Sequence, residues 1–243
     1  MPNVEYYQQK YASGEEVLHS YKLRALEQAR GLKPGRALDL GCGSGVMASR
    51  LKEMGHEVYG IDISSNAIQK LRERGIEGQT ANLEEALPLS DAEFDLVWCT
   101  ELLEHVANPT ALLTEIRRVL KPGGRLLLTT PNSAHIAYRL LHLLGKTCSE
   151  VQHSEHLRFF SAASLKTLLE QTGFTINSLT GRNLYIIVPF SSARELPEYL
   201  DVLGIRFEYS HAHDRPYLIW EHFTGLWNTL WADTFIVSAD KRA

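Results

Sequence analysis

Residues 38–45 read LDLGCGSG: an apolar run that ends in three glycines spaced two apart. Before them, "RALDLG" has the pattern of a buried strand. After them, "VMASRLKEMG" has helical periodicity and stops at Gly55. A strand, a glycine loop and a helix in that order let a backbone approach a ligand closely, because Gly41, Gly43 and Gly45 carry no Cβ. The dinucleotide fingerprint asks for Gly or Ala where Val46 stands. The glycines instead read G-x-G-x-G, two residues after Asp39, which weakens a nicotinamide reading.

The same rhythm continues along the chain. "EVYGIDI" is a second strand, ending at Asp62 about twenty residues beyond the loop, where a carboxylate can accept hydrogen bonds from ribose hydroxyls. "SSNAIQKLRERG" is a helix capped by Ser64 or Ser65 and ended by Gly75. "EGQTA" is a weak third strand and "FDLVWC" a fourth. Asn108 and Pro109 open a helix whose stripe is Leu112, Leu113, Ile116, Val119 and Leu120. "RLLLTTP" is a fifth strand, "NSAHIAYRLLHLLGK" a helix, and Ser161 to Gly173 another. "TINSLT" and "DTFIVSAD" are closing strands. Near-continuous apolar strands between helices indicate a parallel sheet covered on both faces.

Composition bounds the rest. The chain has 243 residues, 44% hydrophobic and 22% charged, enough to bury a core. A net charge of −4 argues against sequence-independent nucleic-acid binding. No apolar run reaches the roughly 18 residues of a membrane span, and "LYIIVPF" (184–190) suits a buried strand. Cys42, Cys99 and Cys148 follow no zinc or disulfide spacing, and the start lacks a secretory pattern; both suit free thiols in the cytoplasm. Trp220, Phe223, Trp227 and Trp231 recur at helical spacing, as core packing or as a wall over a substrate.

"LDLGCGSG", "GIDIS", "FDLVWCTELLEHV", "LKPGGRLLLTTPN" and "HLRFFSAASLKTLLEQTGF" together resemble class I S-adenosylmethionine-dependent methyltransferases. The resemblance runs from about Arg36 to Phe174 and again at the last strand. It implies an α/β, Rossmann-like three-layer sandwich, with a seven-stranded, mostly parallel sheet in the order 3-2-1-4-5-7-6 and strand seven antiparallel. It implies one methyltransferase domain over 1–243, with a helical lid at about 1–33 and a substrate-side insertion at about 181–232. Gly41, Cys42 and Gly43 would line the methionine portion of S-adenosylmethionine, Asp62 the ribose, and Cys99 with Thr100 the amino end. Asn82 would meet the adenine amino group, where the family more often has aspartate, and Leu83 would cover the ring. Asp39, Gly45 and Ile63 complete the expected cofactor set, and Lys22 is the candidate for the cofactor carboxylate. Tyr6, Tyr7 and Tyr11 would lie on the lid helix, as a cover or as ordinary packing.

"TELLEHV" (100–106) puts Glu101, Glu104 and His105 within one helical turn. The segment resembles ubiquinone-pathway catechol O-methyltransferases and small-RNA 2′-O-methyltransferases, in which E-x-x-E-H holds a divalent ion. By that resemblance Glu101, Glu104 and His105, with His156 or His153 as a fourth ligand, would hold magnesium, manganese or zinc. A metal-free version makes His105 or His153 a general base, and a packing role for the segment stands beside both. His135 and His142 border the substrate mouth by position, and His211 and His213 read as surface residues. The expectation is methyl transfer to a small molecule, preferably at a hydroxyl oxygen. N- or C-methylation, RNA 2′-O-methylation and a non-catalytic cofactor-binding partner are the alternatives.

Overall fold

Among the described residues, ten strands form one sheet in the order β3-β2-β1-β4-β5-β10-β6-β9-β8-β7. They are β1 (Arg36–Leu40), β2 (Glu57–Asp62), β3 (Glu77–Thr80), β4 (Phe94–Thr100), β5 (Leu120–Pro131), β6 (Phe174–Asn183), β7 (Tyr199–Val202), β8 (Ile205–Ser210), β9 (Tyr217–Thr224) and β10 (Ala232–Lys241). The computed structural model describes residues 4–13, 19–147, 150, 155–183, 199–202, 205–210, 217–224 and 232–242. Strands β1 to β5 pair in parallel. Strand β10 runs antiparallel between β5 and β6. Those seven strands have the expected order 3-2-1-4-5-7-6, with the last strand in sequence antiparallel.

Helices cover both faces, and strand parity decides which residues meet which layer. From β4, Leu96 and Trp98 face a layer built from α2 (Ser20–Ala29), α3 (Val46–Glu53) and α4 (Ser65–Glu73). Val97 and Cys99 face the opposite layer, built from α5 (Pro109–Val119) and the helix Ala162–Gln171, here α7. Between them in sequence lies α6 (Ile136–Leu143), and α1 (Val4–Ser13) opens the chain. Local signals placed the helix starts. Ser64 accepts from the Ala67 N–H and Asn108 from the Ala111 N–H, and Ser161 forms a capping box with Ser164. Such a cap contributes about 1 kcal/mol. Buried aliphatic residues such as Leu113 and Ile116 contribute roughly 1.5–3 kcal/mol each.

The segment after β6 departs from the expected aromatic helix. Residues 217–224 form a strand, β9, which pairs antiparallel with β6 and with β8. Trp220 and Phe223 therefore lie on a strand. The run "YLIWEHFT" is rich in aromatic and β-branched residues, and the open edge of β6 offers backbone partners. Three strands thus extend the sheet beyond the seven. Trp227, Trp231, His211, His213, Cys148 and the expected strand 184–190 lie outside the described residues.

The chain leaves β1 for α3 on one face, whereas α5, which follows β4, packs on the other. A crevice opens where connections diverge, at the carboxyl ends of those two strands. The glycine loop follows β1 and "ELLEH" follows β4, so the sheet places both at its mouth.

Candidate active site

The turn after β1 is built by positive-φ glycines: Gly41 at 68°, Gly43 at 51° and Gly45 at 80°. A Cβ at Gly41 would stand 3.3 Å from Leu102 Cδ1, on a backbone that side chains rarely adopt. The Gly41 and Cys42 N–H groups donate to the Ile61 carbonyl at 2.8 and 3.1 Å, which ties the loop to the end of β2. Asp62 then receives two backbone bonds: Gly43 N–H to Oδ2 and Ser64 N–H to Oδ1, both 2.9 Å. The two backbone bonds fix the orientation of this carboxylate at the end of β2.

Gly41 and Asp62 line a cleft of about 890 Å³, open mouth included. Of the residues singled out from sequence, Tyr7 and Tyr11 of the lid helix line it, as do Gly41, Asp62, Ile63, Asn82, Leu83, Glu101 and His105. Asn82 is engaged in its own turn: its carbonyl accepts from the Glu84 N–H at 3.1 Å and its amide donates to Glu85 at 2.9 Å. Asp39, Cys42, Gly43, Gly45, Cys99, Thr100 and Glu104 are buried behind the surface. Thr100 Oγ1 accepts from the Trp98 indole at 3.1 Å. Burial pushes the Cys99 thiol well above its ordinary range, as do Glu104 and Asp39. Lys22, half-buried on α2, acts electrostatically on Glu104, so its charge reaches this end of the sheet.

The segment after β4 is tighter than a helical turn. Glu101 has φ 52°, a left-handed backbone that costs a non-glycine residue energy and clusters at functional sites. Its N–H donates to the Thr129 carbonyl at 3.1 Å, and Thr129 Oγ1 donates to its Oε1 at 2.9 Å. A 3₁₀ turn, Leu103–His105, follows. Glu101 therefore does not share a helix face with Glu104 and His105, because cross-strand bonds to β5 hold it first.

Glu104, His105 and His156 come together, each with a ligand-type atom within 4.8 Å of the others. Glu104 Oε2 accepts from Thr130 Oγ1 at 3.0 Å, while its Oε1 has no hydrogen-bond partner among the described residues. Burial and the neighbouring Glu101 charge push this carboxyl well above its usual range. His105 Nδ1 lies 3.0 Å from the Glu155 carbonyl, which can only accept, so Nδ1 carries a proton there, while Nε2 lies 3.9 Å from Glu104 Oε1. Its ring meets His156 edge-on at 4.9 Å. Thus Glu104, His105 and His156 of the expected metal set converge, while Glu101, near enough for its charge to act on Glu104, is not one of the three; His153 lies outside the described residues. The "HLRFF" segment also straps the turn, since Leu157 and Arg158 N–H groups donate to the Glu104 carbonyl at 2.8 and 3.0 Å. His135 is buried beside α6.

Sequence reasoning missed Lys10, Glu84, Leu102, Val106, Glu155 and Leu157 as lining residues. Lys10 was recoverable, standing three residues after Tyr7 on the same helical face. Glu155 and Leu157 lie in irregular backbone, which carries no periodic signal.

A methyltransferase-domain model matches residues 7–179. The ubiquinone biosynthesis O-methyltransferase of Aeromonas salmonicida is 30% identical over 72% of this chain and 76% of its own. A SAM-dependent methyltransferase structure from Thermotoga maritima superposes with a TM-score of 0.63, at 22% identity, over 91% of this chain and 88% of its own. The [4+2]-cyclase SpnF superposes with a TM-score of 0.57, at 27% identity, over 72% and 71%. With the glycine turn, the Asp62 carboxylate and the sheet order, these matches establish that the chain belongs to the methyltransferase-domain family and is an S-adenosylmethionine-dependent methyltransferase.

Proposed function

We propose that the cleft transfers a methyl group from S-adenosylmethionine to a hydroxyl oxygen of a small molecule, such as a phenol or catechol. The observation that carries this reading is His105, which lines the cleft together with Asp62 and Gly41 and is backed by Glu104 and His156. The name borne by the Aeromonas relative supports oxygen as the acceptor atom.

The residues fit the donor. Asp62, oriented by two backbone N–H groups, accepts from ribose hydroxyls. Gly41 leaves the space that a Cβ would fill. Leu83 and Asn82 stand on the adenine side, and Lys22 supplies positive charge for the donor carboxylate. When bound, S-adenosylmethionine supplies a methyl carbon already activated by a positive sulfonium, so alignment and exclusion of water carry much of the catalysis.

The acceptor needs help from the protein. A phenol of pKa near 10 is mostly protonated at pH 7. His105 offers Nε2 as the base, with its tautomer set by the Glu155 carbonyl. A divalent ion is the second reading, favoured by the convergence of Glu104, His105 and His156. One carboxylate and two imidazoles suit such an ion, which would lower the pKa of a bound hydroxyl. We further propose that residues 1–243 act as one domain, with residues 181–232 as an acceptor-side insertion and with the lid of the N-terminal region confined to α1, since α2 packs into the layer on the sheet.

Methyl-labelled S-adenosylmethionine and a panel of phenols and catechols test the proposal. Labelled ether product, lost in His105→Ala, is the expected result. Because a neighbour in fold is a cyclase, incorporation of label is the deciding readout rather than binding. Label appearing on amines and never on hydroxyls would overturn the oxygen assignment. Full activity in excess chelator would remove the metal reading and leave the base.

A further inference from the structure

Helix α1 closes one side of the cleft with Tyr7, Lys10 and Tyr11. The residue beside Tyr7, Gln8, turns away from the cleft and meets the N-terminus of α4. Its side-chain carbonyl accepts from Ser64 Oγ at 3.2 Å and from the Asn66 N–H at 3.3 Å. Its amide donates to Ser65 Oγ at 3.1 Å. Its own backbone carbonyl accepts from Asn66 Nδ2 at 2.9 Å. The first N–H groups of a helix have no partner within the helix, so an amide from another element can satisfy them.

The position of this contact matters. Ser64 is also the residue whose N–H holds Asp62 Oδ1 at 2.9 Å. A continuous chain of hydrogen bonds therefore runs from the Asp62 carboxylate through Ser64 to Gln8. On the cleft side, Tyr7 stands edge-on to His105, with ring centroids 6.3 Å apart. Its phenol is pushed up by burial, and the charges of Glu155, Asp62 and Glu104 add to the shift. Tyr7 lines the same cleft as Asp62 and His105, so its ring faces the donor end and the acceptor end together.

We propose that Gln8 is a positioning residue: a latch that fastens α1 to the turn beyond Asp62 and so holds Tyr7 across the junction of the two half-sites. The latch ties lid closure to the loop that grips the donor. A donor that orders the Asp62–Ser64 turn orders the seat of Gln8 as well, and an undocked α1 lets ligand escape and water enter. Gln8 itself touches no reacting atom and acts through the placement of Tyr7. This inference rests on the donor site assigned above.

Three variants test it: Gln8→Ala, Gln8→Glu and Asn66→Ala. The first readout is amide hydrogen exchange along α1 in the ligand-free protein. Gln8→Ala should speed exchange in α1 about tenfold, the loss expected for about two modest hydrogen bonds, and leave β1 to β5 unchanged. The second is the dissociation rate of S-adenosylhomocysteine, which should rise about tenfold in Gln8→Ala and less in Asn66→Ala. Gln8→Glu keeps an acceptor at the α4 N-terminus and should restore most of both. A structural role in general stability would lower the melting temperature without this selective change in α1. Wild-type exchange in α1 for Gln8→Ala would overturn the latch even if the donor assignment were also wrong. Failure of the wild type to bind S-adenosylhomocysteine, with α1 exchange altered as expected, would overturn the donor assignment and keep the docking contact. Altered exchange with an unchanged dissociation rate would overturn the link to the donor.

Discussion

Replacing Asp62 separates its two duties, bracing the loop and holding a ligand. The carboxylate is 5% exposed and accepts from two backbone N–H groups, each at 2.9 Å. A bond to a charged acceptor contributes about 1.5–3 kcal/mol. Asp62→Ala removes both bonds, although water from the cleft can reach the freed N–H groups and recover part of the loss. We expect a net cost of about 3 kcal/mol, which in a chain of this size lowers the melting temperature by roughly 6–12 °C. Asp62→Asn is not conservative here. Its carbonyl can face Gly43 N–H or Ser64 N–H, and its NH₂ then meets the other, donor against donor. It should cost roughly half as much stability as alanine. For S-adenosylhomocysteine, alanine forfeits two hydroxyl–carboxylate bonds, so affinity should fall at least about a hundredfold. Asparagine should lose about tenfold or more. Circular dichroism melts and isothermal titration read the two effects. An alanine variant melting within about 2 °C of wild type would refute the bracing role, and an asparagine variant binding as tightly as wild type would refute the hydroxyl contact.

Other substitutions probe the neighbouring features. Gly41→Ala meets a left-handed backbone and Leu102 at 3.3 Å, so titration should show weaker S-adenosylhomocysteine binding, by about tenfold. Glu104 has a raised folded pKa, so its stability contribution is whole below the unfolded value near 4.3 and is lost as pH rises toward the folded one. In chelator-treated protein, Glu104→Gln should therefore gain on wild type as pH increases from about 5 to 8. A gap that narrows with pH would contradict that burial. Cys99 is fully buried with its thiol pushed up, so iodoacetamide at pH 8 should modify it in the unfolded chain and spare it in the native one, as read by mass spectrometry. Leu113→Ala empties a fully buried site between α5 and the sheet, and denaturant melts should show a loss of about 3–5 kcal/mol.

Much of this molecule was legible because its signals are local. Apolar runs marked β1, β2, β4, β5 and β10, and Ser64, Asn108 and Ser161 announced helix starts that the structure caps with those side chains. The misreading of 217–224 has a physical source. Residues three apart, such as Trp220 and Phe223, satisfy a helical period, and the competing strand depends on edges that sequence spacing does not reveal. The site shows the same division. Gly41 and Asp62 follow from their places at strand ends. The tautomer of His105 depends on a carbonyl fifty residues away, and the backbone of Glu101 on a bond from β5. Contacts of that span are made by tertiary packing, and no window of sequence contains both partners.

Register explains why donor and acceptor groups meet at all. Across the sheet, Ile61 pairs with Leu40, Leu40 with Cys99, and Cys99 with Leu128, and all four side chains enter the same buried layer. One residue further along each strand stand Asp62, Gly41, Thr100 and Thr129. Asp62 and Gly41 of this next row line the cleft, so its rim begins one residue beyond a row already fixed by burial. A slip of one residue in β4 would turn Val97 and Cys99 toward the layer of α2, α3 and α4, and Leu96 and Trp98 toward the opposite one. It would also carry Glu101 away from Thr129. The hydrophobic alternation that makes such a slip costly therefore holds Glu104 and His105 opposite the glycine turn. Chemistry at the rim inherits its precision from the core beneath it, and a core substitution in β4 can impair transfer without touching either ligand.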